Sequence, residues 1–306
     1  MSLNLHFSCL SSWKGVALVG TMAFLLAACG DDDSDFVSRP DGDAVDSSSS
    51  VSSQSSSSST KESSSSSVKS STSSSSDGFD WSLPKEAYLN PEIDYGTMMD
   101  ERDGKTYRTV KIGDQVWMAE NLNFDPGQGG AGDAKYEWSW CYDNEPENCD
   151  VVGRLYTWAA AIDSVKLAID AENPQDCGYG KSCRMPAKVQ GICPTGWHLP
   201  AYAEWEVLFT AVGGRTSRAG KDLKSQSGWC HNDIGTDAFG FSALPAGNRA
   251  NIGYFDNVGN HANFWSATES DSFRVYYMHL FSTYDFIEVD VNSNKNVGYS
   301  VRCLKD

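Results

Sequence analysis

The chain has 306 residues and a formal net charge of −17 at pH 7. An acidic chain with no run of Lys and Arg lacks the phosphate contacts of nucleic-acid-binding proteins, which excludes that class. Beyond the N-terminal segment no apolar stretch reaches the ~18 residues of a membrane-spanning helix, so an internal span is excluded as well.

Residues 1–28 predict an export signal. Lys14 precedes an apolar run over 16–28 that is short for a membrane span and typical of a signal-peptide core. The run ends in Leu26-Ala27-Ala28-Cys29, which resembles the bacterial lipobox. This resemblance implies cleavage before Cys29 and acylation of its thiol and new amine with fatty acids such as palmitate. Several acyl chains on one residue give stable membrane attachment.

Residues 29–78 predict a disordered tether. The acidic run over 30–35 has two interpretations, a surface-export signal like that of some bacterial lipoproteins or a solvated linker. Residues 47–76 contain 22 Ser among 30 positions and cannot bury enough apolar surface to fold. A flexible chain of about 50 residues spans roughly 35–40 Å, enough to hold a domain away from a membrane.

The rest of the chain predicts a short lead-in over 79–94 and one folded domain over 95–306. Alternating residues from Tyr107 to Ile112, the turn Gly113-Asp114 and a return strand over 115–118 predict a β-hairpin.

Two helices are predicted in the same domain. The first runs over 153–166, because apolar residues recur there at helical spacing. The second runs over 202–212, after Pro200 and before Gly213-Gly214.

From Phe239 onward the pattern indicates short strands and Gly/Asn turns. The positions that we expect to be buried there are Phe241, Leu244, Trp265, Tyr277, Val289 and Val301. We also assign Trp117, Trp158, Trp197, Trp205 and Trp265 to the core. Strands at both ends around two helices predict an α+β domain.

Seven cysteines follow Cys29, and an exported protein is expected to form disulfides. Short spacing favours the local pairs Cys141–Cys149 and Cys177–Cys183. Of the remaining three, we pair Cys193 with Cys303 and leave Cys230 over. No Cys-x-x-Cys pair is present, so a zinc site on these cysteines is disfavoured.

Several segments together identify a family. They are the stretches 113–122, 153–158, 193–200 with Glu204-Trp205, 240–247 with 264–268, and the ending 298–303. In this order they resemble the Fibrobacter succinogenes major paralogous domain. The resemblance implies a C-type-lectin-like fold related to formylglycine-generating enzymes, and it implies a Cys193–Cys303 disulfide. The molecular function of the family is not established.

We find no catalytic constellation and expect no enzyme. No Ser-His-Asp order, His pair or phosphate loop can be placed. Formylglycine-generating enzymes are oxidases with an active-site cysteine pair. This pair has no counterpart near the C-terminus of the chain, where Cys303 is the single cysteine. No cofactor or metal is assigned. Calcium binding stays an open possibility, because Asn232-Asp233 and Asp256-Asn257 lie where lectins of this fold bind the ion. A calcium site needs six to eight oxygen ligands, and the sequence does not allow a full set to be assigned.

Trp138, Trp140 and Trp229 lie in polar, Gly/Asn-rich surroundings, and we expect them to be surface residues that stack on sugar rings. The sequence therefore predicts a non-catalytic lipoprotein of the outer membrane, exposed at the cell surface, that binds a polysaccharide. The alternative is a structural or protein-interaction module of the envelope.

Overall fold

The computed structural model describes residues 79–127, 138–216, 218–230, 234–289 and 292–306. The predicted signal peptide over 1–28, the lipidation site Cys29 and the tether over 29–78 lie outside the described residues. Within the described ranges, no helix combines the length and hydropathy needed to cross a bilayer.

The strands of the described part are short and pair antiparallel. They are β1 (Gly96–Met99), β2 (Thr106–Ile112), β3 (Gln115–Met118), β4 (Ser139–Trp140), β5 (Leu155–Tyr156), β6 (Trp197–His198), β7 (Ala246–Arg249), β8 (Phe255–Val258), β9 (His261–Glu269), β10 (Arg274–Phe281), β11 (Asn292–Asn294) and β12 (Leu304–Lys305).

These strands form two main sheets and two short ribbons. The larger sheet has the order β1-β2-β3-β12-β6, and the second has the order β11-β10-β9. The ribbons are β4-β5 and β7-β8. The predicted hairpin over 107–118 is confirmed as β2-β3, with Ile112 opposite Gln115 and Gly113 at φ 58° in the turn.

The α-helices are α1 (Pro146–Val152), α2 (Trp158–Ala161), α3 (Ser164–Ala168), α4 (Tyr202–Ala211) and α5 (Ala219–Leu223), and the 3₁₀ helices are Lys85–Tyr88 and Tyr142–Asn144. The helix predicted over 202–212 is confirmed as α4.

The single helix predicted over 153–166 is wrong. Leu155 and Tyr156 form β5 instead, and Asp163 adopts a left-handed conformation with φ 51° that separates α2 from α3. Asp163 caps α3 through its carboxylate, which accepts a bond from Lys166 N. The helical spacing arises because strand and helix bury residues toward the same core.

Two large apolar clusters fill the described domain. One is centred on Trp117 and Trp205, whose rings stack at 4.7 Å, and the other on Trp158 and Trp265. All five tryptophans assigned to the core are buried. The expected buried positions between 241 and 301 are also confirmed, except that Tyr277 is half-buried.

The three predicted disulfides are present: Cys141–Cys149, Cys177–Cys183 and Cys193–Cys303. Cys230, which the pairing by sequence left over, is also disulfide-bonded.

Arg302 is fully buried and binds two segments that are distant from it in the chain. Its Nε donates to Asn121 Oδ1 at 2.7 Å, and Nη1 donates to Met118 O at 3.2 Å and to Phe241 O. Nη2 donates to Ser242 O at 2.9 Å. The guanidinium carbon also lies 4.8 Å from the ring centroid of Phe241. One charged side chain thus holds the 113–122, 240–247 and 298–303 segments together.

The disulfides are expected to differ in their contribution to stability. The Cys193–Cys303 loop has a sequence separation of 110, against 8 for Cys141–Cys149. In the chain-entropy model these loops correspond to about 4.8 and about 2.5 kcal/mol. Chemical denaturation of the two double-Ala variants should show the larger loss for the long loop, and equal losses would contradict this.

Replacing Arg302 by Met should lower the free energy of unfolding by more than about 3 kcal/mol, because four buried acceptors lose their donor. Arg108, which is exposed on β2, provides the matched control. The Arg108→Met variant should unfold within about 0.5 kcal/mol of the parent chain. A similar small effect at Arg302 would show that the guanidinium does not hold the segments together.

Candidate binding surface

The three tryptophans predicted to bind sugar do not form an exposed aromatic surface. Trp140 is 7% exposed and Trp229 is 6% exposed, so the expectation of surface residues is wrong for both. Trp138 is half-buried against the second core cluster. The polar neighbours are explained by cation–π contacts: the guanidinium of Arg249 lies 3.9 Å from the Trp140 ring, and Lys224 Nζ lies 5.0 Å from the Trp229 ring.

A continuous row of rings follows β10 and the segment after it. We call this row the β10 strip; its members are Tyr277, His279, Phe281, Tyr284 and Phe286. Successive ring centroids are separated by 5.5, 3.8, 5.7 and 5.0 Å. His279 is buried, whereas Tyr284 at 50% and Phe286 at 38% are the exposed members of the strip. The strip therefore ends in two aromatic side chains that are partly exposed to solvent.

The exposed end of the strip is held by buried groups. Lys224 is fully buried, and its Nζ donates to Tyr284 O at 2.7 Å. The backbone of α5 also contacts this segment, since Gly220 N donates to Asp285 O at 2.8 Å. A Cβ on Gly220 would lie 2.7 Å from the carbonyl oxygens of both Asp285 and Phe286, so only glycine permits this approach. The two exposed rings thus stand on a fixed backbone.

A second exposed pair lies at the other end of β10, and we call it the loop pair. Tyr179 lies in the loop closed by Cys177–Cys183, and Phe273 lies in the turn between β9 and β10. Each is 48% exposed, and their rings meet edge to face at 5.1 Å.

The aromatic alternation of Tyr277, His279 and Phe281, continued by Tyr284 and Phe286, was the signal in the sequence for the β10 strip. Tryptophan content does not reveal this strip, whereas the period of two typical of strands does. No sequence signal places Tyr179 beside Phe273, because they are distant in the chain.

Two histidines pack together on neighbouring strands: His279 belongs to the strip on β10, and His261 lies beside it on β9. His261 and His279 have ring centroids 5.0 Å apart, and His279 Nδ1 lies 4.0 Å from Glu288 Oε2. His279 Nε2 is buried and has no hydrogen-bond partner among the described residues. Burial lowers the pKa of His261 to about 4, and burial together with the His261 charge lowers that of His279 to about 3. Both rings are therefore neutral at neutral pH.

A third histidine, His198, contacts a carboxylate with each of its ring nitrogens. His198 Nδ1 lies 2.7 Å from Asp306 Oδ1, and its Nε2 lies 2.9 Å from Glu204 Oε1. Glu204 Oε2 also accepts from Ala201 N at the start of α4. This arrangement connects β6, α4 and the end of the chain, and its polar atoms are engaged with one another.

Two cavities of about 330 and 270 Å³ open on the described part of the domain. The larger is lined by Glu204 and Glu269, whose carboxylates are bonded to His198 and Lys295. The smaller is lined by Lys85 and Glu120, which form an ion pair at 2.9 Å. Each of these carboxylates is thus engaged by a cationic or imidazole side chain of the protein.

No group of three His, Cys, Asp or Glu side chains with metal-binding geometry is found in the described ranges. Of the residues considered for calcium, Asp256 and Asn257 lie in β8, and Asn232-Asp233 lie outside the described residues.

The buried histidines predict a stability that falls with acid. Between pH 5 and 6 the unfolded chain protonates both, whereas the folded chain protonates neither, so unfolding takes up about two protons. Burial raises the pKa of Asp237 to about 7, and unfolding releases its proton in the same range. These groups together should lower the unfolding free energy by about 1.4 kcal/mol per pH unit on acidification.

The His279→Phe variant removes one of the two protons and should flatten this slope between pH 5 and 6. Denaturant unfolding at several pH values measures it. An unchanged slope in the variant would mean that His279 is protonated in the folded chain.

A comparison with protein families covers all the segments that Arg302 and the three disulfides connect. The family model described as "Fibrobacter succinogenes major domain" matches residues 110–305, which include β10, the strip and the loop pair. No curated protein and no solved structure matches the chain. Because the match covers more than half of the sequence, the chain belongs to the Fibrobacter succinogenes major domain family.

Proposed function

We propose that this protein is a non-catalytic lipoprotein of the outer membrane whose surface-exposed domain binds polysaccharide. The observation that carries the proposal is the β10 strip, which ends in the half-exposed rings of Tyr284 and Phe286 on a fixed backbone. Aromatic faces supply the apolar contact for the C–H face of a sugar ring, and the tyrosine hydroxyl adds a polar edge.

The size of the exposed patch favours sugar over protein. An aromatic side chain offers about 150–250 Å² when fully exposed, so two half-exposed rings offer roughly 200 Å². A stable protein interface needs about 800 Å² from each partner. A patch of this size suits a few sugar rings, and the protein-interaction alternative requires a much larger surface.

Rigid support adds to the argument. Binding costs free energy when side chains and loops must be ordered, and rings that are already fixed avoid part of that cost. The Lys224 bond to Tyr284 O and the contact of Gly220 with Asp285 hold the strip before any ligand arrives.

The N-terminal sequence supports the proposed location. The lipobox-like segment before Cys29 supplies an anchor, and the Ser-rich tether supplies reach from the membrane. The proposed C-type-lectin-like fold is supported by the α+β architecture and by the Cys193–Cys303 bond that this resemblance implies. The fold by itself is weak support for a sugar ligand.

The test is binding of the purified chain to insoluble cellulose and to xylan, with and without EDTA. We expect retention that survives EDTA, because stacking needs no cation. In the Tyr284→Ala/Phe286→Ala variant, the dissociation constant should rise about tenfold or more, as two stacking contacts of about 0.5–1.5 kcal/mol each are lost.

Tyr254 provides the matched control, because it is 54% exposed and lies outside the strip. The Tyr254→Ala variant should bind like the parent chain. If neither polysaccharide retains the parent chain, the proposal is wrong, and crosslinking in the envelope then tests the protein-interaction alternative.

A further inference from the structure

We propose that the loop pair is a second contact for the same polysaccharide chain, so that the domain grips one long ligand at both ends of β10. This inference rests on the proposed function and specifies its ligand as an extended polymer. The strip and the loop pair would each be weak alone and would act together through one ligand.

The loop pair is built from two segments that are joined by several bonds. Gly180 N donates to Ser272 O at 2.9 Å, which ties the disulfide loop to the β9-β10 turn. Cys183 N donates to Glu269 Oε2 at 2.9 Å, which ties the same loop to the end of β9. The Cys177–Cys183 bond closes the loop that carries Tyr179.

A buried lysine holds both sides of this junction. Lys295 is 1% exposed, and its Nζ donates to Lys181 O at 2.7 Å, to Gly178 O at 3.2 Å and to the Glu269 carboxylate. Its backbone N donates to Phe273 O at 3.0 Å. The ammonium also lies 4.6 Å from the centroid of the Trp158 ring. Lys295 therefore fixes the carbonyls on either side of Tyr179 and that of Phe273.

The same construction supports the β10 strip. There Lys224 donates to the carbonyl of Tyr284 and lies over Trp229, as Lys295 lies over Trp158. In each case a buried lysine fixes the backbone that carries the exposed rings in the absence of a ligand. Two buried ammonium groups on tryptophan rings, each fixing an exposed aromatic pair, indicate that both pairs are contact sites.

The spacing of the pairs points to a polymer. β10 has 8 residues, and at about 3.3 Å per residue its ends lie about 23 Å apart. Each pair exposes roughly 200 Å², which is too little for a protein partner. A polysaccharide has the repeating rings and the length to reach both pairs. When one ligand engages both, the second contact forms at a high effective concentration and increases the affinity without any new surface.

The test measures affinity against ligand length by isothermal titration calorimetry. The probes are soluble oligosaccharides of cellulose and xylan, from the disaccharide upward, titrated into the full chain. We expect the affinity to increase by at least about tenfold once the oligosaccharide is long enough to span about 23 Å.

The Tyr179→Ala/Phe273→Ala variant should lose this increase and bind short oligosaccharides like the parent chain. Both side chains are exposed, and thermal unfolding verifies that the variant folds. The Tyr254→Ala variant is again the control and should retain the increase. A variant that keeps the length dependence overturns the inference.

The inference and the proposed function fail in different ways. If binding requires Tyr284 and Phe286 but does not depend on length, the second contact is wrong and the proposed function stands. If no oligosaccharide and no polysaccharide binds, both are wrong.

Discussion

The buried guanidinium of Arg302 is the interaction on which the arrangement of this domain depends. A fully desolvated charge is tolerated only when its donors are satisfied, and here a side-chain amide and three backbone carbonyls satisfy them. Since these acceptors belong to segments far apart in the chain, the charge can be buried only when β3, the 240–247 segment and the C-terminal segment have assembled. The Cys193–Cys303 bond adds a covalent link between the C-terminal segment and the residue that precedes β6.

The same principle recurs nearer the surface on a smaller scale. Lys224 and Lys295 bury their ammonium groups over tryptophan rings and direct them at loop carbonyls. Apolar contacts alone hold a loop poorly, because a loop has few side chains to bury. A buried cation that needs several carbonyls fixes the backbone more strictly, since any displacement leaves a charge without its partners. Loops of this kind can present exposed aromatic rings in a defined orientation.

The proposed binding function depends on the exposed aromatic rings rather than on the charged groups at the cavities. At the two cavities, Glu204 bonds to His198, Glu269 bonds to Lys295 and Glu120 pairs with Lys85, and the rings of His261 and His279 are neutral at neutral pH. Two exposed aromatic pairs lie at the two ends of one strand. Their combined area is small for a protein partner and adequate for sugar rings, and the proposed tether and location outside the cell would allow the domain to reach an extended polysaccharide.

The sequence by itself determined the local structure and the family of this protein. The β2-β3 hairpin, helix α4 and the two small disulfides could be predicted because each depends on residues close in the chain. The core tryptophans followed from periodicity, and the Cys193–Cys303 bond also from the family resemblance. Tertiary structure alone decided the rest. In the folded chain, Asp163 interrupts the helix predicted over 153–166. The side chains of Arg249 and Lys224 lie over the buried rings of Trp140 and Trp229, and Tyr179 packs beside Phe273. A polar neighbourhood in sequence indicates exposure only when its charges face solvent, and here the charges of Arg249 and Lys224 lie on the rings themselves, which only the folded chain reveals.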